Sequence, residues 1–236
     1  MNMTLKIISL LLSYPTGEMR EALAELKAVL ERAAIGEREK KLLIRLAEDI
    51  AGLDLYDAQE RYVFLFDRTR SLSLHLFEHV HGESRDRGQA MVDLVAMYAD
   101  DGFDIDAREL PDYLPMFLEY LSMKPAAEAA ELLGQTAHIV AALRERLKKR
   151  NSIYANAFAV LEAMARAKPD AALLNELLDV PEDNPDDLEA LDRIWEEEAV
   201  TFGGNAGENA CGPDRLQRQI RASHRKPAEA PQMPNA

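Results

Sequence analysis

Apolar residues recur at every third or fourth position along most of this chain, and no other feature constrains its fold as strongly. Leu23, Leu26 and Leu30 follow this spacing near the N-terminus, and Leu191 and Trp195 still follow it far along the chain. Residues spaced in this way share one face of an α-helix. No segment shows the sustained alternation of apolar and polar residues that a half-buried strand requires. The sequence therefore predicts an all-α fold, a single-domain bundle of many helices without a sheet.

The helical pattern stops before the end of the chain. A last helix is predicted over about 185–198, within an acidic run that begins at Glu182 and should mostly form a solvated helix face. From Gly203 the composition shifts to glycine, asparagine and proline with scattered arginine, which is typical of disorder. We therefore predict an all-helical domain over residues 1–200 and a disordered, flexible tail over residues 201–236.

Composition narrows the classes of partner. The 236 residues are 47% hydrophobic and 30% charged, as in an ordinary globular protein. The formal net charge of -14 argues against a nucleic-acid partner, because phosphate contacts need a basic surface. The same charge favours a cationic partner. No segment is apolar for long enough to span a bilayer, so we expect no direct membrane insertion.

The single cysteine and the N-terminal segment indicate the compartment. Cys211 has no second cysteine with which to form a disulfide or a CxxC pair. The apolar run Ile7–Leu12 is shorter than the usual core of a signal peptide, and Tyr14 and Pro15 follow it instead of a cleavage site. We therefore expect a first core helix at this position and a cytoplasmic protein.

The segment 73–91 concentrates titratable side chains within an otherwise helical pattern. Leu72, Leu76 and Val80 recur every four residues, which predicts a helix with these side chains on one face. Gly82 is expected to end that helix. This concentration of titratable groups at one corner between two helices predicts a recognition or binding site there.

Three histidines at this corner suggest an alternative, a metal-binding helical protein. His75 and His79 are four residues apart, a spacing that lets two imidazoles on one helix reach the same ion, and His81 lies close by. However, the HExxH order is missing, and no distant histidine belongs to a recognisable ligand motif. The metal site therefore remains the alternative, and the main expectation is a protein without a bound metal or cofactor.

Signals for catalysis are missing from the sequence. It contains no GxSxG nucleophile motif and no phosphate-binding glycine loop. Glu109 and Asp112 lie three residues apart ahead of an apolar stretch whose start is bracketed by Pro111 and Pro115. Such acids are expected to serve a helix N-terminus. We therefore expect no catalytic residue, no small-molecule substrate and no enzymatic activity.

Four segments resemble the dedicated assembly chaperones of respiratory nitrate reductase. They are LDLYDAQERYVFLFDRTRSLSL at 53–74, LFEHVHGESRDRGQAMVDL at 76–94, RELPDYLPMFLEYL at 108–121 and ALDRIWEEEAVTF at 190–202. A weaker resemblance extends to the wider redox-enzyme maturation chaperones, which share an all-helical fold and a Glu-Pro-Asp-His-type element. Here that element reads ELPDY, from Glu109 to Tyr113, with tyrosine where the family usually has histidine.

The resemblance implies a cytoplasmic chaperone for the molybdenum-containing catalytic subunit of nitrate reductase. Such chaperones bind the N-terminal segment of the catalytic subunit and keep the apo-enzyme open for insertion of the molybdenum cofactor. They hold the enzyme off the membrane until it is complete, and then they dissociate. They retain neither molybdenum nor an iron–sulfur cluster.

The expected peptide site combines three helices that each carry an apolar stripe and polar groups at one end. The helices with Tyr62, Leu76 and Phe117 are predicted to lie side by side around one groove that accepts a basic amphipathic helix. For each aromatic residue, a place in the ordinary core remains the alternative. The predicted contact residues are Tyr62, Phe66, Leu76, His79, Glu83, Arg87, Glu109, Asp112, Tyr113 and Phe117.

Overall fold

Twelve α-helices joined by short turns make up most of the chain that the structure describes. The structure is a computed structural model, and it describes residues 1–80, 85–105, 109–165 and 167–182. The helices are α1 (Met3–Leu12), α2 (Gly17–Glu21), α3 (Leu23–Arg32), α4 (Glu37–Gly52), α5 (Leu55–Phe66), α6 (Leu76–Val80), α7 (Arg85–Asp100), α8 (Leu114–Met123), α9 (Ala126–Gln135), α10 (Ala137–Lys149), α11 (Ala155–Met164) and α12 (Ala171–Asp179). No strand occurs within these described ranges, so the prediction of an all-α fold is confirmed.

Helix α1 lies in the core because almost its whole surface is apolar. Leu5, Ile8 and Leu12 are at most 1% exposed, and a helix that is hydrophobic all round is expected to be buried. The side-chain oxygen of Asn2 accepts hydrogen bonds from two amides of the first turn and caps the helix. Packing against α8 covers α1, and α1 therefore forms the core helix that the sequence predicts.

A second group of helices contributes to the same core. Helix α11 contacts both α4 and α10, and each of the three helices contributes a fully buried side chain, at Phe158, Leu46 and Leu143 respectively. These residues belong to one cluster of buried apolar side chains that also contains the core residues of α1 and α8. The site described below lies at an edge of this cluster, between α1 and α8.

The prediction of one helix carrying Leu72, Leu76 and Val80 is wrong at its start. Leu72 ends a 3-10 turn that begins at Arg70, no helix forms over the next three residues, and α6 begins only at Leu76. The spacing of four residues therefore does not reflect a single helical face here. The helix end predicted at Gly82 lies outside the described residues.

Pairing with a distant segment explains why the chain is not helical ahead of α6. The amide of Leu114 donates a hydrogen bond of 2.8 Å to the carbonyl of Leu74. The amide of Leu76 donates one of 3.0 Å to the carbonyl of Asp112. These bonds flank an isolated antiparallel contact between His75 and Tyr113, which we call the backbone bridge. The pairing satisfies backbone amides and carbonyls that a helix would otherwise pair internally.

The C-terminal part of the prediction lies outside the described residues. The helix over 185–198 and the boundary between residues 1–200 and residues 201–236 therefore remain predictions. Within the described ranges, none of the helices has the length and apolar character needed to cross a membrane.

Candidate functional site

Asp112 organises the centre of the site. Its side chain is 0% exposed and lies just ahead of α8. One carboxylate oxygen accepts the amide N–H of Phe77 at 3.0 Å, and the other lies 3.1 Å from Nδ1 of His75. The carboxylate therefore caps the first turn of α6, where negative charge is favoured. Asp112 serves a helix N-terminus as expected, but the helix is α6 and not the one that follows Asp112 in the sequence.

The charge of Asp112 makes His75 easier to protonate. Burial lowers the pKa of His75, but the hydrogen bond and the negative charge of Asp112, together with the nearby Glu78, outweigh burial. The net effect raises the pKa above the ordinary value of 6.5. The His75 ring also packs on the ring of Tyr113, with 5.5 Å between the ring centres.

His79 binds a different group. Its Nε2 lies 2.8 Å from the carbonyl oxygen of Ser73, so Nε2 carries a proton and donates it. Burial lowers the pKa of His79, which favours the neutral ring. Among the described residues, no group of three or more His, Cys, Asp or Glu side chains is arranged to hold a metal ion. His81, the third histidine of the metal-binding alternative, lies outside the described residues.

Two tyrosines connect the backbone bridge to α1. The hydroxyl of Tyr62 donates to the carbonyl of Leu12 at 3.0 Å, and it lies 2.8 Å from the hydroxyl of Tyr113. Because the Leu12 carbonyl takes the Tyr62 proton, Tyr113 donates to Tyr62. Burial raises the pKa of Tyr113 to about 12, which keeps it neutral. At the position where related chaperones usually have histidine, this chain thus has a neutral hydrogen-bond donor.

A sharp turn after α7 brings a further segment to the site. Gly102 has a φ of 71°, a conformation that favours glycine. The amides of Gly102 and Phe103 bind back to carbonyls in the last turn of α7, in the pattern of a Schellman motif. Phe103 then packs edge-on against Tyr98 and Tyr120, at ring distances of 5.4 and 5.8 Å. The turn therefore anchors the segment 103–105 that lines the site.

A surface groove of about 310 Å³ lies between α1, the start of α8 and the segment after α7. We call it the α1/α8 groove. Its apolar lining includes Phe103, Ile105 and Met116, and its three carboxylates belong to Asp104, Glu109 and Glu119. Ser9 of α1 also lines the groove and donates a hydrogen bond of 2.6 Å to the carbonyl of Pro115, which holds the two helices together.

Negative charge dominates the α1/α8 groove. Glu119 forms an ion pair with Lys6. Asp104 and Glu109 are exposed, and neither has an ion-pair partner among the residues that the structure describes. Carboxylates beside apolar side chains suit a cationic ligand that also has apolar groups. The groove therefore has the chemistry of a binding site.

Seven of the ten predicted contact residues either line the groove or are buried. Glu109 and Tyr113 line the groove. Five others are at most 5% exposed in this structure: Tyr62, Phe66, Leu76, Asp112 and Phe117. A direct contact between any of these five buried residues and a peptide remains a prediction.

Three helices converge on the backbone bridge. Tyr62 binds Tyr113 and Asp112 binds His75, the two residues of the bridge. His79 binds the carbonyl of Ser73, two residues before His75, so Tyr62, His79 and Asp112 do not lie on opposite faces of the protein. Arg87 of α7 does not line the groove and instead pairs with Glu78 of α6 at 3.3 Å. Glu83 lies outside the described residues. Contact of His79 or Arg87 with a peptide also remains a prediction.

Sequence reasoning missed much of the groove. It did not select Phe103, Asp104, Ile105, Met116 or Glu119. A signal existed at Phe103 and Ile105, because two apolar residues follow a helix-ending glycine and lie outside any helical pattern. Such residues need a packing partner elsewhere in the fold.

Known proteins are similar to this chain over most of its length. Residues 14–160 match the family described as nitrate reductase delta subunit. The chain is 42% identical over 213 residues to the Escherichia coli (strain K12) protein named nitrate reductase molybdenum cofactor assembly chaperone NarJ, which covers 90% of this chain and 89% of NarJ. It is 42% identical over 198 residues to the probable chaperone of the same description named NarW, from the same strain, which covers 84% of this chain and 83% of NarW. It is 34% identical over 161 residues to the probable NarJ of Bacillus subtilis (strain 168), which covers 68% of this chain and 86% of that protein.

The family match includes the backbone bridge and the three carboxylates and three apolar residues of the groove. It spans more than half of the chain, and the identity to full-length relatives extends along nearly all of it. This chain belongs to the nitrate reductase delta subunit family.

Proposed function

We propose that this chain is a system-specific chaperone for the assembly of respiratory nitrate reductase. It binds the N-terminal segment of the catalytic, molybdenum-containing subunit and keeps the apo-subunit competent for insertion of the molybdenum cofactor before membrane attachment. It acts in the cytoplasm as a binding protein without catalytic activity. The relatives named as molybdenum cofactor assembly chaperones support this role.

The observation that carries the proposal is the chemistry of the α1/α8 groove. Its apolar side chains offer anchoring surface, and the exposed carboxylates of Asp104 and Glu109 offer attraction to a basic peptide. An amphipathic helix that lays its apolar face in such a groove is an established recognition mode. With about 310 Å³, the groove is at the small end of ligand sites and accepts a few anchor side chains of the client segment.

Charge and apolar contact have separate effects in this binding mode. Attraction between the acidic groove and a basic segment mainly raises the association rate. Burial of apolar anchors against Phe103, Ile105 and Met116 mainly slows dissociation. A chaperone must also release its client. A small groove with few anchors favours such release.

The contacts behind the groove keep its wall in place before the client binds. Tyr113 is held at its hydroxyl by Tyr62 and at its ring by His75, and His75 is held by Asp112. A wall that is already ordered loses less conformational entropy on binding. The ELPDY element therefore contributes to recognition through Glu109 and Tyr113 at the surface and through Asp112 from inside.

Titration calorimetry of the full-length protein with a synthetic peptide tests the proposal. The peptide has the N-terminal sequence of the cognate catalytic subunit, and a scrambled peptide of the same composition is the control. We expect the scrambled peptide to bind at least about tenfold more weakly, a difference of about 1.4 kcal/mol. Equal affinity for both peptides would contradict the proposal and indicate a general helical adaptor.

A charge reversal in the groove locates the binding. Glu109→Lys should weaken binding of the native peptide about tenfold, because attraction becomes repulsion. Glu176→Lys is the matched control, since Glu176 is exposed on α12 and does not line the groove. It should bind as the unmodified protein does. A loss of the same size in both variants would indicate an effect of net charge and not of the groove.

A further inference from the structure

A second pocket, larger than the α1/α8 groove, opens at the other end of the same two helices. It has a volume of about 840 Å³ and lies between the start of α1, the turn between α3 and α4, and the first half of α9. We call it the α1/α9 pocket. Helices α1 and α8 are antiparallel, because Asn2 donates to the carbonyl of Ser122 at one end and Ser9 donates to the carbonyl of Pro115 at the other. The pocket therefore lies at the Asn2 end of the pair, and the groove lies at the Ser9 end.

The lining of the α1/α9 pocket is mostly apolar. Small side chains form much of it, at Ala34 before α4 and at Ala126 and Ala130, which share one face of α9. Flexible apolar side chains add to the lining, and these belong to Met1, Met3 and Met164. The alanines leave room for large apolar side chains of a ligand, and methionine adapts to their shape. The volume of the pocket is in the range of ligand sites.

One uncompensated charge lies in the α1/α9 pocket. Glu39, in the first turn of α4, lines the pocket, and its carboxylate lies so close to Gly36 that a Cβ at that position would collide with it. Glu39 has no ion-pair partner among the residues that the structure describes. Lys124 also lines the pocket, but its charge is offset by Asp101 at 2.5 Å and Glu128 at 2.8 Å. The pocket therefore complements a ligand that is apolar and carries a positive charge.

The groove and the pocket are close enough for one peptide to enter both. On α1, Ser9 lines the groove and Leu5 lines the pocket, and this spacing corresponds to about 6 Å along the helix. On α8, Glu119 lines the groove, and Lys124 at the end of the helix lines the pocket, about 8 Å further along. The partly exposed ion pair between Lys6 and Glu119 lies between the two sites. A helical peptide covers this separation in about two turns.

We propose that the α1/α9 pocket is a second docking site for the N-terminal segment of the client, which runs along the α1/α8 pair and enters the groove and the pocket together. This inference rests on the proposed function and assigns the client segment a pattern. The segment carries two groups of large apolar side chains about two helical turns apart, with a basic residue beside each group. Once one site is engaged, binding to the other is intramolecular, so the two together bind more tightly than either alone. A segment that fits only one site binds more weakly, which favours the cognate client.

Methionine methyl groups report on the two sites separately in the full-length protein. Met3 and Met164 line the pocket, Met116 lines the groove, and Met19 lines neither. We titrate protein with isotope-labelled methionine methyls with the N-terminal peptide of the cognate catalytic subunit. The NMR signals of Met3, Met164 and Met116 should shift in parallel, with one dissociation constant, and that of Met19 should stay unchanged. Shifts at the groove alone, at the pocket alone, or at the two sites with different constants would overturn the proposal.

Matched tryptophan substitutions distinguish occupation of the pocket from an indirect change in it. Ala126→Trp places a large ring in the pocket and should weaken binding of the peptide about tenfold in calorimetry. Ala127→Trp is the control, because Ala127 is also an exposed residue of α9 but does not line the pocket. It should bind as the unmodified protein does, and urea midpoints show that both variants keep the fold. Equal affinities of the two folded variants would contradict the second site.

A charge variant tests the pocket without adding bulk. Glu39→Gln should lower the affinity for the peptide about threefold and reduce its dependence on salt, because one attraction is lost. Glu37→Gln is the control, since Glu37 lies in the same turn of α4, pairs with Lys40 and does not line the pocket. Effects of the same size in both variants would contradict a role of the pocket charge.

These measurements distinguish failure of this inference from failure of the proposed function. Peptide binding that shifts the Met116 signal alone would leave the chaperone role intact and eliminate the second site. Absence of peptide binding in calorimetry would eliminate both. Shifts at Met3 and Met164 that appear without peptide, when the protein concentration is raised, would identify a second copy of this chain as the occupant and would also overturn the proposal.

Discussion

The carboxylate of Asp112 lies 3.1 Å from Nδ1 of His75, although the two residues are 37 positions apart in the sequence. The same carboxylate accepts the amide of Phe77 and closes the first turn of α6. Because Tyr113 follows Asp112 directly and packs on His75, one buried acid positions both sides of the backbone bridge. Asp112 of the ELPDY element therefore has a structural role in this chain, because it holds both His75 and the first turn of α6.

Removal of the Asp112 carboxylate should destabilise the protein. Asp112→Ala leaves the amide of Phe77 without its acceptor and His75 without its partner, and we expect the free energy of unfolding to fall by about 2 to 3 kcal/mol. Urea denaturation measures the change. Glu109→Ala, three residues away and exposed, should stay within about 0.5 kcal/mol of the unmodified protein. Similar losses in both variants would contradict the assignment.

His75 should make stability depend on pH in a defined direction. Its pKa is raised in the folded state, so folding favours the protonated ring. The resulting stabilisation is fully present below the unfolded value near 6.5 and is lost as pH rises through the raised pKa. The stability gap between the unmodified protein and His75→Gln should therefore shrink as pH increases from about 5 to 8.

His79 is a matched control for that measurement because its pKa shifts the other way. Burial lowers the pKa of His79, so its contribution is fully present above 6.5 and is lost as pH falls through the lowered pKa. The gap between the unmodified protein and His79→Gln should widen as pH rises over the same range. Urea midpoints at several pH values measure both gaps. If both stability gaps changed in the same direction with pH, the opposite pKa shifts of His75 and His79 would be refuted.

Salt should slow binding of the cognate N-terminal peptide more than it speeds release. Exposed charges such as those of Asp104 and Glu109 are screened over about 8 Å at physiological ionic strength. Met116→Ala should have the opposite effect, with faster dissociation and a nearly unchanged association rate, because it removes apolar surface from the groove. Stopped-flow kinetics across a salt series measure both rates. An association rate that is independent of salt would remove the acidic groove from the mechanism.

Phe66 lies in the core and is expected to act on stability. It is 3% exposed, and its ring packs on those of Tyr62 and Tyr154 with 5.0 Å between ring centres in each case. Phe66→Ala should therefore lower the free energy of unfolding by about 3 kcal/mol or more, as measured by urea denaturation. A variant of unchanged stability that releases the peptide faster would instead support the predicted peptide contact.

Arg146 should resist replacement by lysine. It is 3% exposed, and its two terminal nitrogens donate to the carbonyls of Ser71 and Leu177. These bonds join α10 to the 3-10 turn before the backbone bridge and to α12. A lysine ammonium cannot replace the two terminal nitrogens that donate to these carbonyls. Arg146→Lys should therefore lower the free energy of unfolding by about 1 to 3 kcal/mol, as measured by urea denaturation. Arg144→Lys is the control. Arg144 forms a more exposed ion pair with Glu162, so this variant should lose about 1 kcal/mol or less of its free energy of unfolding.

Helices were predictable where local spacing and helix chemistry agree. The apolar run Ile7–Leu12 was predicted as a core helix and lies within the buried α1. Pro111 and Pro115 were predicted to bracket the start of the apolar stretch, and α8 begins between them at Leu114. Spacing misled at Leu72, because pairing of the chain with residues 112–114 replaced the helical hydrogen bonds.

By itself, the sequence determined that the chain is helical, that it is strongly acidic, and which family it resembles, because these depend on composition and on neighbours a few positions apart. Only the tertiary structure decided that Phe103, Tyr113 and Met116 share one groove. It also decided that Asp112 caps a helix that begins 36 residues earlier, although no local pattern connects Asp112 with Leu76. The physical reason is that burial and hydrogen bonding are satisfied in three dimensions, by whichever distant residue the packing of the helices brings into contact.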